Sequence, residues 1–200
     1  DGSYLDDPLA AAVERAWRAG IVVVTASGNT GADAGRLGTP AHDPFVIAVG
    51  AVKAESDGFS VPDWTSVGDG VRNPDVAAPG AHIRSLRVAG SHADVDHPEG
   101  YVDERHFLAS GSSQSAAVVS GVAALVLDAH PDLDPDSVKA AIAGSAVDVP
   151  GGDATTVGAG LVRADVAIRI AQPSVPQDWA PSTATQPFEL PAGASFHVPT

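Results

Sequence analysis

The sequence predicts an α/β fold, and three observations predict it. A capped amphipathic helix precedes a run of β-branched residues, a second such run follows one loop later, and a long apolar helix comes after a Gly-, Pro- and Asp-rich middle. Helix, buried strand, loop, buried strand is the order that builds a mostly parallel sheet with helices packed on it. Hydrophobic residues make up 44% of the 200, enough to bury the core of one domain, while aromatics are only 5%, so that core is made of Ala, Val, Leu and Ile.

Asp7-Pro8 opens the first helix, with Asp as N-cap and Pro at the first helical position. LAAAVERAWRA then carries apolar residues at helical spacing, and Gly20 stops it. IVVVTA, Ile21 to Ala26, is apolar without alternation, the pattern of a strand covered on both faces, and FVIAVGAV, Phe45 to Val52, repeats it. From Lys53 to about Arg105 the chain reads as loops laid over the scaffold, with strand-like pieces in VRNPDVAAPG and AHIRSL. The run from Ala116 to Leu127 has no polar face and is expected to be buried all round. Mid-helix Gly121 is costly by propensity and is expected to pack against a neighbouring backbone. Asp132 to Asp134 and Pro135 open a further helix over SVKAAIAGSA, and LVRADVAIRIA predicts one more. Residues 172–200 are rich in Pro, Ser and Thr without periodicity and read as a linker or the start of a further domain, leaving 1–171 as the main unit.

Several function classes fall away on composition. A net charge of -14 with 11 basic residues and no basic run excludes phosphate-backbone binding, so nucleic acid is not an expected partner. No Cys is present, which removes disulfides, thiol catalysis and Cys-based zinc sites. No apolar stretch nears the roughly 20 residues of a bilayer span. The chain opens on DGSYLDDP, with neither Met nor a signal peptide, and reads as a start inside a longer protein.

The chemistry lies in the loops. In LASGSSQSAAVVSGVAALVL a Gly-Ser-Ser turn feeds a helix N-terminus, where backbone N–H groups and the helix dipole favour negative charge. A serine there can attack a carbonyl, or it can simply cap the helix. In VVVTASGNTG, Asn29 follows the carboxyl end of a buried strand, the rim where open α/β sheets bind ligands. Its amide can donate to an oxyanion, or Asn-Thr-Gly can be an ordinary turn. DWTSVGDGVRNPDVAAPG, Asp63 to Gly80, lies between the two.

Taken in order, SGN, PDVAAPG and GSSxSAAxxSGxAAL resemble the subtilisin-like serine proteases over about Asp7 to Ala146. The resemblance implies a three-layer fold with helices on both faces of the sheet, incomplete at the N-terminus. It implies a serine endopeptidase acting on polypeptide, with Ser113 as nucleophile and Asn29 in the oxyanion hole. Ala26, Ser27 and Gly28 match the segment lining the primary specificity pocket, and Pro40 matches a position often cis. Ser112 stands for the usual Thr, Gln114 for Met, Ser115 for Ala, and Ala117-Val118 for a Pro-His pair; no reacting group is lost. The family's Asp and His motifs, D-[ST]-G and H-G-T-x-[VC]-A, do not occur. The seven histidines (His42, His82, His92, His97, His106, His130, His197) all follow Asn29 and read as loop or surface residues. The chain is thus expected to carry the nucleophile half of a catalytic domain, to lack its N-terminal half as a partner, and to be inactive alone. An extracellular or cell-envelope location follows from the family alone.

SHADVDHPEGYVDERH, Ser91 to His106, has no counterpart in those motifs. It reads as a solvated acidic rim; no cofactor is expected, and a structural calcium ion, though possible, has no supporting motif. Two other functions compete with this one. An α/β-hydrolase esterase wants G-x-S-x-G, and the position two after Ser113 is Ser115. A catalytically inactive, protease-derived scaffold or binding module is the alternative from another class.

Overall fold

The computed structural model describes residues 3–170 and 176–184. Helix α1 (Pro8–Arg18) starts as its sequence dictates: the Asp7 carboxylate accepts the Leu9 N–H at 2.8 Å, and Gly20 ends the helix at φ +87°. Strand β1 (Val24–Ala26) runs parallel to β2 (Ile47–Glu55), and β2 runs parallel to β4 (Val76–Pro79). The far end of β2 folds back on β3 (Gly58–Ser60) in an antiparallel pair, so the sheet is mixed, with β1 at its open edge. This is an α/β architecture.

Successive residues of β2 face opposite ways, and each face finds its own cover. Ile47 and Val49 join Val76 and Ala78 beneath helices α3 (Ser112–Ala129), α4 (Pro135–Gly144) and α6 (Ala164–Ala167), with Trp17 of α1 closing the cluster. Val52 and Ala77 face the other way, onto α5 (Ala154–Val157) and the loop to Leu161. Strand β4 is the strand-like piece expected within VRNPDVAAPG, but it is no part of a surface layer: Val76, Ala77 and Ala78 are fully buried.

Helix α3 corrects two further expectations. Its inner face, with Val119, Val122 and Val126, packs on the sheet, but Ala117, Gly121, Ala124 and Leu125 on the outer face are exposed, Leu125 by 53%. Gly121 has nothing within 4 Å of where a Cβ would stand. The helix is 18 residues long with mean hydropathy 1.3, so it comes nearer the requirement for crossing a bilayer than its sequence run indicates. Its packing on the sheet already accounts for the inner half of that apolarity.

A hairpin of β5 (Ile83–Leu86) and β6 (His106–Ala109) leads from β4 into α3, with the short helix α2 (His92–Asp96) between its strands. Residues 176–184 lie against α1 and α4: Gln177 Nε2 donates to Asp136 Oδ1 at 2.9 Å, and the Ser182 N–H to Glu14 Oε1 at 2.7 Å. His197 and the rest of 172–200 fall outside the described residues. Thr39-Pro40 is cis.

Candidate active site

Beyond β1 the chain turns at Gly28 with φ +117°, a conformation L side chains rarely adopt, and a Cβ there would stand 2.5 Å from Ser66 Oγ. The buried Ser66 hydroxyl accepts the Thr30 N–H at 3.2 Å, and the Ser66 N–H donates to Gly28 O at 3.0 Å. Asn29, between these anchors, is exposed.

Ser112 completes the hold. Its backbone N–H donates to Asn29 Oδ1 at 2.8 Å and its hydroxyl to the same oxygen at 2.9 Å, with Gly28 O a second acceptor at 3.1 Å. The Gly28 N–H donates to the Ser112 hydroxyl oxygen at 3.1 Å. Two donors on one amide atom fix which end of the Asn side chain is oxygen, because the amide nitrogen cannot accept. Asn29 Nδ2 therefore faces outward, and it has no partner among the described residues.

The serine turn is placed by the middle motif. The Gly111 N–H donates to Gly80 O at 2.8 Å, and the Ser115 hydroxyl donates to Ala78 O at 2.9 Å. A Cβ on Gly80 would lie 2.2 Å from Ser115 Oγ and 2.9 Å from Gly111 O, so only glycine allows the turn to come this close. Upstream, Asp75 accepts both Arg72 terminal nitrogens at 3.0 Å and the Ala48 N–H at 2.7 Å, tying PDVAAPG to β2.

Gly111, not a serine, is the N-cap of α3, and it makes no side-chain cap. The capping role is therefore not what these serines do. Ser112 is fully buried and serves Asn29; Ser113, next along, is exposed. Neither the hydroxyl nor the N–H of Ser113 has a partner among the described residues. An unpaired hydroxyl beside two unpaired donors, the Ser113 N–H and Asn29 Nδ2, at the head of an 18-residue helix is an arrangement fitted to acyl transfer.

Of the three residues expected to line a specificity pocket, Gly28 borders a cavity of about 390 Å³ with Thr30, Gly38, Thr39 and Ser66. Ser27 is fully buried and its hydroxyl has no partner among the described residues. A larger cavity of about 780 Å³, lined by Tyr4, His42, Arg72, Lys139 and Trp179, includes neither Asn29 nor Ser113. No described histidine hydrogen-bonds Ser113. His106 lies on β6, 2.8 Å from Asp103; His92 lies on α2; His130, half-buried, meets Ile168 O at 2.8 Å. No group of three or more His, Asp or Glu placed to hold a metal ion occurs among the described residues.

Reasoning from sequence undervalued Ser66, Gly80 and Ser112. Ser112 was visible as a kept hydroxyl; Ser66 had no sequence signal beyond lying in the Asp63 to Gly80 segment.

Comparison with known proteins gives the family of the chain. The family model described as "Subtilase family" matches residues 2–161. Serine protease AprX of Bacillus subtilis is 39% identical over 167 residues, covering 80% of this chain and 38% of that protein. Subtilisin DY of Bacillus licheniformis is 31% identical over 161 residues, covering 80% and 51%. The crystal structure of fervidolysin from Fervidobacterium pennivorans, a keratinolytic enzyme related to subtilisin, superposes with a TM-score of 0.65 at 28% identity, covering 79% of this chain and 24% of that one. The fold and these matches define the subtilisin-like class of α/β proteins. This chain belongs to the subtilase family. It spans about half or less of the length of these relatives.

Proposed function

We propose that the chain is the C-terminal, nucleophile-bearing portion of a secreted or envelope-bound serine endopeptidase that cleaves polypeptides through an acyl-enzyme. The observation that carries this reading is the exposed, unpaired Ser113 beside the outward-facing Asn29 amide. Ser113 Oγ attacks the scissile carbonyl carbon, and its proton passes to a histidine base held by an aspartate. The oxygen that gains charge accepts from the Ser113 N–H and Asn29 Nδ2. Collapse breaks the C–N bond, the base returns the proton to the leaving amine, and water then releases the acyl group. Ala26, Ser27 and Gly28 form the wall that receives the residue before the scissile bond.

The histidine and aspartate come from polypeptide outside these 200 residues, so the chain alone is inactive. Three features support incompleteness: no described histidine touches Ser113, the outer face of α3 is open, and β1 has an unpaired edge beside the exposed Ile21. The missing half covers that face and edge and supplies the second helical layer of the three-layer fold. Residues 1–171 belong to the peptidase portion, and 172–200 form a Pro-, Ser- and Thr-rich continuation.

Expression with the preceding polypeptide tests this. The longer protein hydrolyses a peptide substrate, Ser113→Ala abolishes hydrolysis, and the 200-residue chain shows none. A longer protein with no Asp and His motifs and no hydrolysis leaves the inactive scaffold as the function.

A further inference from the structure

Residues 176–184 lie beyond the family match, which ends at 161, and take no part in the chemistry above. They form no helix or strand of their own. Segments of this kind stay loose unless something ties them down, and two anchors tie this one. Gln177 is the first. Its N–H donates to Asp136 Oδ2 at 3.2 Å, its Nε2 donates to Asp136 Oδ1 at 2.9 Å and to Phe45 O at 3.0 Å, and its Oε1 accepts from Lys139 Nζ at 3.0 Å. Asp136 Oδ1 also accepts the Trp17 Nε1–H at 2.8 Å, so this anchor joins α4 to α1.

Ser182 is the second. Its N–H donates to Glu14 Oε1 at 2.7 Å, and its hydroxyl lies 3.1 Å from Leu5 O and 3.3 Å from Asp7 O. Beside it the Thr183 N–H donates to Leu5 O at 2.7 Å, and the Tyr4 hydroxyl donates to Ala180 O at 2.9 Å. Pro176 and Pro181 stand directly before the two anchors and narrow the conformations the segment loses on seating.

The rest of the chain is built to receive this segment. Glu14, on α1, is 1% exposed; Arg18 takes its Oε2 at 2.8 Å, and the Ser182 N–H meets its Oε1. A buried carboxylate is costly unless its oxygens find donors. What the second anchor grips is the stretch Tyr4 to Asp7 that runs into α1. On the function proposed above, the polypeptide carrying the histidine and aspartate joins the chain through this stretch. We propose that residues 176–184 are an intrachain clasp that fixes the entry segment to α1 and α4 and so holds the base-bearing half in place against Ser113. The last step rests on the endopeptidase reading.

Hydrogen exchange on the longer parent protein tests the clasp, with Gln177→Ala plus Ser182→Pro as the variant, because proline offers Glu14 no N–H. The Leu5, Asp6 and Asp7 amides are bonded within their own turn and report on the entry segment. In the unsubstituted protein, 3–7 and 176–184 are expected to exchange slowly; in the variant both speed up by about tenfold or more while α3 is unchanged. For peptide hydrolysis, kcat per active site, counted by burst titration so that unfolded protein does not enter, is expected to fall about tenfold. Three results overturn the proposal: 176–184 exchanging like an unstructured peptide in the unsubstituted protein, a variant that frees 176–184 but not 3–7, or one that frees both with kcat per site unchanged. If α3 also exchanges faster, Thr183→Pro, which removes only the Thr183 bonds to Leu5 O, is judged by the same three results. A parent protein that hydrolyses no peptide defeats the endopeptidase reading, and the two exchange results then decide the clasp alone.

Discussion

Ser112 holds Asn29 by two hydrogen bonds to one oxygen, 2.8 Å from its backbone N–H and 2.9 Å from its hydroxyl. On the function proposed above, the residue beside the nucleophile thereby aims the amide that meets the oxyanion. Asn29→Ala in the active parent protein lowers kcat by ~10² to 10³, a range carried over from the same substitution in subtilisin. Ser112→Ala keeps the backbone bond and lowers kcat by about tenfold, the scale of one net hydrogen bond, while Ser112→Thr restores activity. KM stays within about twofold in each, because an interaction made only in the transition state does not move ground-state binding. Steady-state kinetics on one peptide substrate checks all three.

Gly80 and Ser115 meet where the serine turn docks. Gly80→Ala drives a Cβ to 2.2 Å from Ser115 Oγ and is expected to destabilise by about 2 kcal/mol or more. Adding Ser115→Ala relieves only part of this, because Gly111 O, 2.9 Å from the same point, is backbone and cannot swing away. A double-mutant cycle by denaturant melts reads the coupling.

Gly121 gives a substitution whose sign depends on what covers α3. In the 200-residue chain the site is open, so Gly121→Ala stabilises by about 0.5–1 kcal/mol through helix propensity. In the longer protein, with the missing half packed on that face, the same change destabilises. Thermal melts of both pairs decide it, and stabilisation in both contexts contradicts the proposed docking.

Asp43 is fully buried, with Oδ1 accepting the Phe45 N–H at 2.8 Å and Oδ2 unpartnered. Burial, reinforced by the nearby Glu14 carboxylate, pushes its pKa up to about 6 against the contrary pull of the Phe45 N–H, Arg72 and Lys139. A carboxyl raised on folding favours the native state while protonated, so its stabilisation is present near pH 4 and is lost as pH rises to about 6. Asp43→Asn keeps the Oδ1 acceptor and removes the charge. It is expected to be more stable than the parent by about 2 kcal/mol at pH 8, with the difference vanishing near pH 4. Chemical denaturation at both pH values measures it.

The first helix, with its cap and stop, was legible because Asp7, Pro8 and Gly20 act through neighbours in sequence. Strand β2 was legible because a doubly covered strand needs an unbroken apolar run. Strand β4 was legible as a strand-like piece, but its full burial was not, since Val76, Ala77 and Ala78 owe that to pairing with β2 inside the sheet. The exposure of α3 was misread because an all-round apolar helix says that every face wants cover, not that every face has it within this chain. Ser113 and Asn29 stood out only once the ordered motifs were recognised. Their bond network through Ser112 and Ser66 joins residues 36 to 84 positions apart, and no local pattern encodes that.

Fluorophosphonate labelling read by peptide mass spectrometry tests most directly whether Ser113 is a nucleophile that needs a base from outside the chain. The prediction is stoichiometric labelling at Ser113 in the longer parent protein, none in its Ser113→Ala variant, and none in the 200-residue chain on the same timescale. Equally fast labelling of the 200-residue chain, or labelling of the parent at any other residue, would contradict it.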